Sequence, residues 1–213
     1  MARASAALAE PVSSDAEPGR LDRTSRRDLL LDAAASMVAA GDIDAITMDA
    51  VAERAGVSRP LVYKHFANRH DLLAAVYARE SALLHAELEA AVMAATDFEG
   101  MVRALIRGAL DAQASRGAAF ASLGAAGSRT ADRRREQRDR DLTTLSFFAR
   151  RAEKELGVDR GAARAGLGIL LGAITSVLAA WRRNPTAAHA DLLEDTYVSL
   201  VVGGLERLAA DSR

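Results

Sequence analysis

The sequence predicts an all-α chain in two parts, an N-terminal three-helix unit containing a helix-turn-helix and a larger helical C-terminal part. Three observations predict it. Apolar residues recur at helical spacing along almost the whole chain, and no run alternates with the period of two that marks a half-buried strand. Helix punctuation is regular, with Thr47, Ser58 and Asn68 placed as caps before helical runs and Gly41, Gly56 and Gly157 placed after them. With 213 residues, 50% of them hydrophobic, the chain is long enough to bury a core in one compact unit or in two smaller ones.

Residues 1–20 read as a flexible tail, because they carry Pro11 and Pro18 among Ala, Ser and Glu and too little bulky apolar surface to offset ordering entropy. A continuous apolar region is missing there, so no secretory signal is expected. Leu29, Leu30, Ala33, Ala34, Met37 and Val38 then form one stripe of a first helix that stops near Gly41. Thr47 caps a short second helix whose inner face is Met48, Val51, Ala52 and Ala55, and Gly56 ends it. Ser58 is positioned to cap a third helix, with Pro60 in the first turn, where a missing N–H costs nothing. Asn68, three residues before Asp71, starts a long fourth helix through Leu72, Leu73, Val76, Leu83, Leu84 and Leu88. Further helices are expected over 98–115, 118–123, 131–156, 160–183 and 187–210, with Gly157 and Asn184-Pro185 as breaks. The expected domains are 21–70 for the helix-turn-helix unit and 71–213 for the remainder.

Composition removes several classes of function. The chain has no cysteine, hence no disulfide, thiolate nucleophile or cysteine-held metal, and a cytoplasmic setting fits. His65, His70, His85 and His189 have no metal-ligand spacing, so neither metal nor cofactor is expected. Gly166, Gly168 and Gly172 lie within a helical apolar run rather than between a strand and a helix, which excludes a dinucleotide loop. The uncharged stretch 165–181 falls short of the ~20 apolar residues of a bilayer span and contains Thr175 and Ser176, so it is read as a buried helix, with no membrane partner. No nucleophile stands beside a plausible base, and an enzyme is not expected. The mixed charges from Arg133 to Asp141 pair along one helix and read as a solvated face.

A net charge of -1 means that any binding to nucleic acid must come from local placement. Between Arg54 and His70 stand four basic residues, Arg54, Arg59, Lys64 and Arg69, and no acid, although Asp42, Asp44, Asp49 and Glu53 lie just upstream. Val51, Ala52, Val57, Val62 and Phe66 make the inside of the unit, which leaves the other side of the third helix open. Such a helix fits the major groove, its N-terminal residues meeting base edges and flanking donors meeting phosphates. Ser58, Arg59, Pro60 and Leu61 are therefore assigned to the N-terminal, base-facing end. Tyr63, Lys64 and His65 are assigned to positioning, Thr47 and Arg69 to backbone contacts at helix starts, and Arg23, Arg26 and Arg27 to a basic lead-in.

This stretch resembles the TetR family of bacterial regulators. The resemblance rests on the A-A-x-x-x-x-x-x-G end of the first helix, Thr47, the A-x-x-A-G-V-S run from Ala52 to Ser58, and the Y-x-H-F-x-x-R-x-x-L run from Tyr63 to Leu72. It covers residues 24–77; where the family often has aromatics near Val38 and Ile43, both are aliphatic here. The resemblance implies a homodimer, a double-stranded DNA operator of two-fold symmetry, and a C-terminal domain that binds a small effector and releases DNA. The chain is thus expected to be a ligand-responsive repressor, with a helical protein-protein adaptor as the alternative.

The last two predicted helices are apolar on more than one face, which a monomer does not easily cover. Gly168, Leu171, Gly172, Val198, Val201, Val202 and Leu205 are the expected dimer interface, pairing the two helices with their symmetry mates. Phe98, Met101, Leu105, Phe120, Phe147, Phe148 and Trp181 are the candidate lining for a small hydrophobic effector, although each such residue taken singly is more often core.

Overall fold

A computed structural model describes residues 23–41, 43–127 and 131–211, so the expected tail at 1–20 and Asp42 lie outside the described residues. The described chain is all-α. Its helices are α1 (Arg23–Ala39), α2 (Met48–Arg54), α3 (Arg59–His65), α4 (Arg69–Ala94), α5 (Phe98–Gly127), α6 (Ala131–Leu156), α7 (Arg160–Arg183) and α8 (Ala187–Asp211), and no strand occurs among the described residues.

Two apolar clusters organise these helices. The first gathers Leu30, Leu31, Ala34, Ile46, Val51, Val62, Phe66, Leu72 and Val76 from α1 to α4, and it corresponds to the N-terminal unit. The second gathers Phe98, Met101, Ile106, Leu110, Phe148, Leu167, Val201 and Leu205 from α5 to α8. α4 belongs to both, since Leu72, Leu73 and Val76 enter the first cluster and Val92, five turns later, enters the second. A continuous 26-residue helix therefore ties the two cores. α4 and α5 approach closely at Gly108, where a Cβ would collide with the Leu88 side chain.

The expected break between 115 and 118 is present, but it is a kink inside α5 rather than a gap between two helices. Gly117 has φ 66° and ψ -174°, a conformation that only glycine adopts readily. Beyond it the helix turns toward the N-terminal unit, and Leu123 is buried in the first cluster with Phe120 packed against it. Phe120 stacks on Tyr77 of α4 at 5.2 Å between ring centroids. Its expected place in an effector lining is thereby corrected: periodicity assigned it to the C-terminal part, and the Gly117 kink carries it into the other core. Arg116 fixes the corner, donating to the Glu80 carbonyl at 2.7 Å, pairing with Glu87 at 3.1 Å and lying 5.7 Å from the Phe120 ring centre.

A charged clasp joins α5 to α8. Arg103 reaches Glu194 at 3.0 Å, Asp195 at 2.7 Å and Glu99 at 3.1 Å, while Arg107 reaches Asp191 at 2.6 Å and also pairs with Glu194. Glu194 is buried, and two guanidiniums compensate the desolvation of its carboxylate.

The expected dimer interface is corrected on α8. Val198, Val201 and Leu205 are 3%, 1% and 0% exposed and face the chain's own core, together with Ala190, Tyr197 and Ala209. Val202 and Leu171 are half-buried, whereas Gly168 and Gly172 are on the surface. The outer side of α7 and α8 instead carries Ile169, Leu192 and Leu200, 75%, 64% and 62% exposed. A helix that is apolar all round does not declare which face looks inward, and that ambiguity produced the wrong choice. α7 is long and apolar enough to cross a membrane by length and composition; in the fold it packs against α6 and α8.

Candidate nucleic-acid interface

The interface is built on the α2–α3 hairpin. The Thr47 hydroxyl accepts from the Ala50 amide at 3.1 Å and starts α2. Gly56, at φ 65°, makes the reversal, with the Gly56 amide donating to Glu53 at 3.1 Å and the Val57 amide to Ala52 at 2.9 Å. Ser58 occupies the cap position of α3 but makes no side-chain capping bond. Its role here differs from the expected one for a simple reason: Pro60 offers no N–H, and the Leu61 amide already reaches the Ser58 carbonyl at 2.9 Å. Asn68 caps α4 as expected, its side-chain oxygen accepting from the Asp71 amide at 2.9 Å while its Nδ2 donates to the Asp71 carboxylate at 3.1 Å.

α3 is clearly two-sided. Val62 and Phe66 are buried against α1, α2 and α4, and Val57 is half-buried behind them. Arg59, Pro60, Tyr63 and Lys64 are exposed on the opposite side, with Leu61 and His65 half-buried at its margins. The open side that the sequence predicts for this helix is present.

Arg59 is held in place. Its Nε forms an ion pair with Asp49 of α2 at 2.6 Å, and its guanidinium lies 5.6 Å from the Tyr63 ring centre. Hydrogen bonding to Tyr63, followed by the Asp49 charge, holds the guanidinium above its ordinary pKa. Both partners of the ion pair remain exposed, at 62% and 57%, so the pair itself is worth only about 0–1 kcal/mol of stability. These three side chains line an open depression of about 290 Å³ with Thr47, Met48, Asn68 and Arg69.

Asp49 is the residue that sequence reasoning missed. The run from Arg54 to His70 is free of acids along the chain, yet the hairpin brings the upstream Asp49 onto the same face. The signal was available in principle, because Asp49 lies two residues after the Thr47 cap and hence on the first turn of α2.

The remaining basic candidates divide between surface and framework. Arg69 donates from Nε to the Ile46 carbonyl at 2.6 Å and from NH2 to the Ile43 carbonyl at 2.5 Å, which pins the α1–α2 connection onto α4. Arg27 lies 5.2 Å from the Phe66 ring centre, and Arg26 is half-buried on α1. Arg23 begins α1. Arg54 donates to the Ser36 hydroxyl at 2.8 Å and so bridges α2 to α1.

In the C-terminal part Phe98, Met101 and Phe148 are buried core residues, with Phe98 and Phe148 edge-to-face at 6.3 Å and Phe147 and Phe148 at 6.1 Å. Leu105, Phe147 and Trp181 are half-buried against them. Among the described residues no cluster of histidines and acids could hold a metal ion.

Residues 30–76 match the family model of bacterial regulatory proteins, tetR family. The transcriptional activator FasR of Mycolicibacterium smegmatis is 34% identical over 101 residues, 47% of this chain and 46% of its own length. The transcriptional repressor KstR of the same organism is 34% identical over 83 residues, 39% of this chain and 41% of its own length. The chain thus spans under half the length of the curated relatives it matches. Among solved structures, the transcriptional regulator FadR from Bacillus subtilis in complex with stearoyl-CoA aligns with a TM-score of 0.64, covering 83% of this chain and 98% of its own. At 17% identity this is a likeness of fold.

Proposed function

From the match of residues 30–76 to the family model of bacterial regulatory proteins, tetR family, we propose that the chain is a ligand-responsive transcriptional repressor of that family. It binds a palindromic operator as a homodimer and leaves when a small apolar effector occupies the C-terminal part. The observation that carries this reading is the two-sidedness of α3, with Val62 and Phe66 in the core and Arg59, Pro60, Tyr63 and Lys64 open to a partner. A short helix presented this way has the dimensions of the major groove, where arginine pairs with guanine and lysine with phosphate.

Dimerisation is supported by the outer apolar side of α7 and α8, where Ile169, Leu192 and Leu200 stand exposed beside Gly168 and Gly172. Pairing that side about a two-fold axis buries it and gives two reading helices, as a palindrome requires. Apolar effector chemistry is supported by Leu105, Phe147 and Trp181, half-buried at the edge of the second core. The FadR of like fold was solved with stearoyl-CoA, which makes a long-chain acyl-CoA the first effector to try. Repression is the simpler output, because operator occupancy excludes polymerase by volume alone.

Selection of bound fragments from a random duplex pool, followed by titration of the selected DNA complex with stearoyl-CoA, tests the reading. A palindromic motif with half-sites about one helical turn, ~34–36 Å, apart, released by the acyl-CoA, is the expected result. Recovery of a stable protein partner with no enriched DNA would establish an adaptor instead.

A further inference from the structure

We propose that Asp49 is a specificity-determining residue of the DNA-reading surface: it holds the Arg59 guanidinium by its inner nitrogen so that the outer NH1–NH2 edge addresses O6 and N7 of one guanine in each half-site. This inference rests on the regulator reading above and adds to it a residue on α2, outside the recognition helix.

Three features of the site carry it. First, the closest approach is between Asp49 Oδ1 and Arg59 Nε, at 2.6 Å. A guanidinium is a flat, rigid fork with five donors, so an acceptor engaged at Nε fixes the plane while the far edge of the fork continues along the side chain. Second, the Tyr63 ring lies 5.6 Å from the guanidinium carbon and bounds it from α3 itself. An arginine side chain otherwise has many rotamers to lose, and two neighbours on separate helices reduce what remains to be lost on binding. Third, Asp49 and Arg59 are both exposed, so the pair lies on the surface rather than serving as a buried strut.

The electrostatics favour base reading over phosphate contact at this position. A guanidinium already matched by a carboxylate is nearly neutral as a unit, so it gains little from a phosphate and releases few counterions. Its hydrogen-bond geometry is undiminished. A carboxylate beside DNA is unfavourable unless it does something for the arginine, and a bidentate contact to guanine is what an oriented fork does best. Thr47 already caps α2, so the helix start does not depend on Asp49.

The test compares the wild type with Asp49→Asn, Asp49→Glu and Arg59→Ala on the motif selected by the wild type, on its single-base variants and on random duplex. Asp49→Asn is expected to flatten preference at the same base position as Arg59→Ala, by on the order of tenfold. Its affinity for random duplex should rise modestly, because the Arg59 charge is then unmatched, its melting midpoint should stay close to wild type, and Asp49→Glu should recover part of the lost preference. Unchanged preference in Asp49→Asn, flattening at a different position, or tighter binding to all sequences alike would each overturn the inference while leaving the regulator reading intact. A wild type that selects no motif overturns both.

Discussion

At the scale of single residues, the proposed function has α3 divide its work between base edges and backbone. Arg59, at its N-terminus, is braced by Asp49 and Tyr63, whereas Lys64, a turn and a half later, is exposed as a point charge. Arg59→Ala is therefore expected to relax base preference, and Lys64→Ala to weaken binding to every sequence and reduce the salt slope by about one. Titrating each variant against specific and random duplex across a salt series checks this; equal losses on both DNAs for Arg59→Ala would contradict it. In the C-terminal part, the buried Tyr197 hydroxyl donates to the Leu170 carbonyl at 2.8 Å, joining α8 to α7. Burial pushes its pKa up to about 12, against an ordinary value near ~10. The neutral phenol is the form the fold favours, so its contribution is complete below pH ~10 and is lost as pH rises through about 12. Tyr197→Phe should cost about 1 kcal/mol at neutral pH and show a shallower alkaline decline in urea melts; a decline identical to wild type would contradict the assignment. The exposed side of α3 was legible because its caps, turn and basic residues all lie within one short stretch. The Asp49 contact was not, because it depends on how two helices cross.

At the scale of elements, the telling feature is the bend in α5. Gly117 turns the helix so that Phe120 and Leu123 complete the core of the N-terminal unit, while Arg116 locks the corner to α4. The two apolar cores therefore share α4 and the end of α5. Gly117→Ala places a Cβ in a backbone conformation costing about 1–3 kcal/mol, and the chain escapes it only by withdrawing Phe120 and Leu123. Hydrogen exchange is expected to rise in α1 and the first turns of α4, with Leu123→Ala reproducing the effect at a cost of about 2–5 kcal/mol. Faster exchange confined to α5 itself would show that the bend does not support the N-terminal core. A break between 115 and 118 is visible in the sequence, since composition marks where a helix cannot run straight. Its direction is not, because that depends on a single pair of backbone angles, and so Phe120 was assigned to the wrong core.

At the scale of the whole molecule, a chain of net charge -1 must concentrate its cations to meet DNA, and a single short helix is a small surface for that purpose. The proposed two-fold axis would double that surface, and the outer side of α7 and α8 is the surface proposed for the pairing. Ile169→Glu combined with Leu200→Glu should give a monomer by sedimentation and weaken operator binding by more than tenfold, with the helical content retained; a dimer that persists would move the interface elsewhere. Apolar patterning revealed that these helices have more than one greasy face, but Val198, Val201 and Leu205 were placed outside when they fill the interior. The most direct measurement of the central claim is methylation protection of guanine N7, which lies in the major groove, on the selected operator. The proposed function predicts two protected patches about one helical turn, ~34–36 Å, apart on one face of the duplex, each weakened in Arg59→Ala. Protection only of adenine N3 in the minor groove, or a guanine pattern indifferent to Arg59, would contradict it.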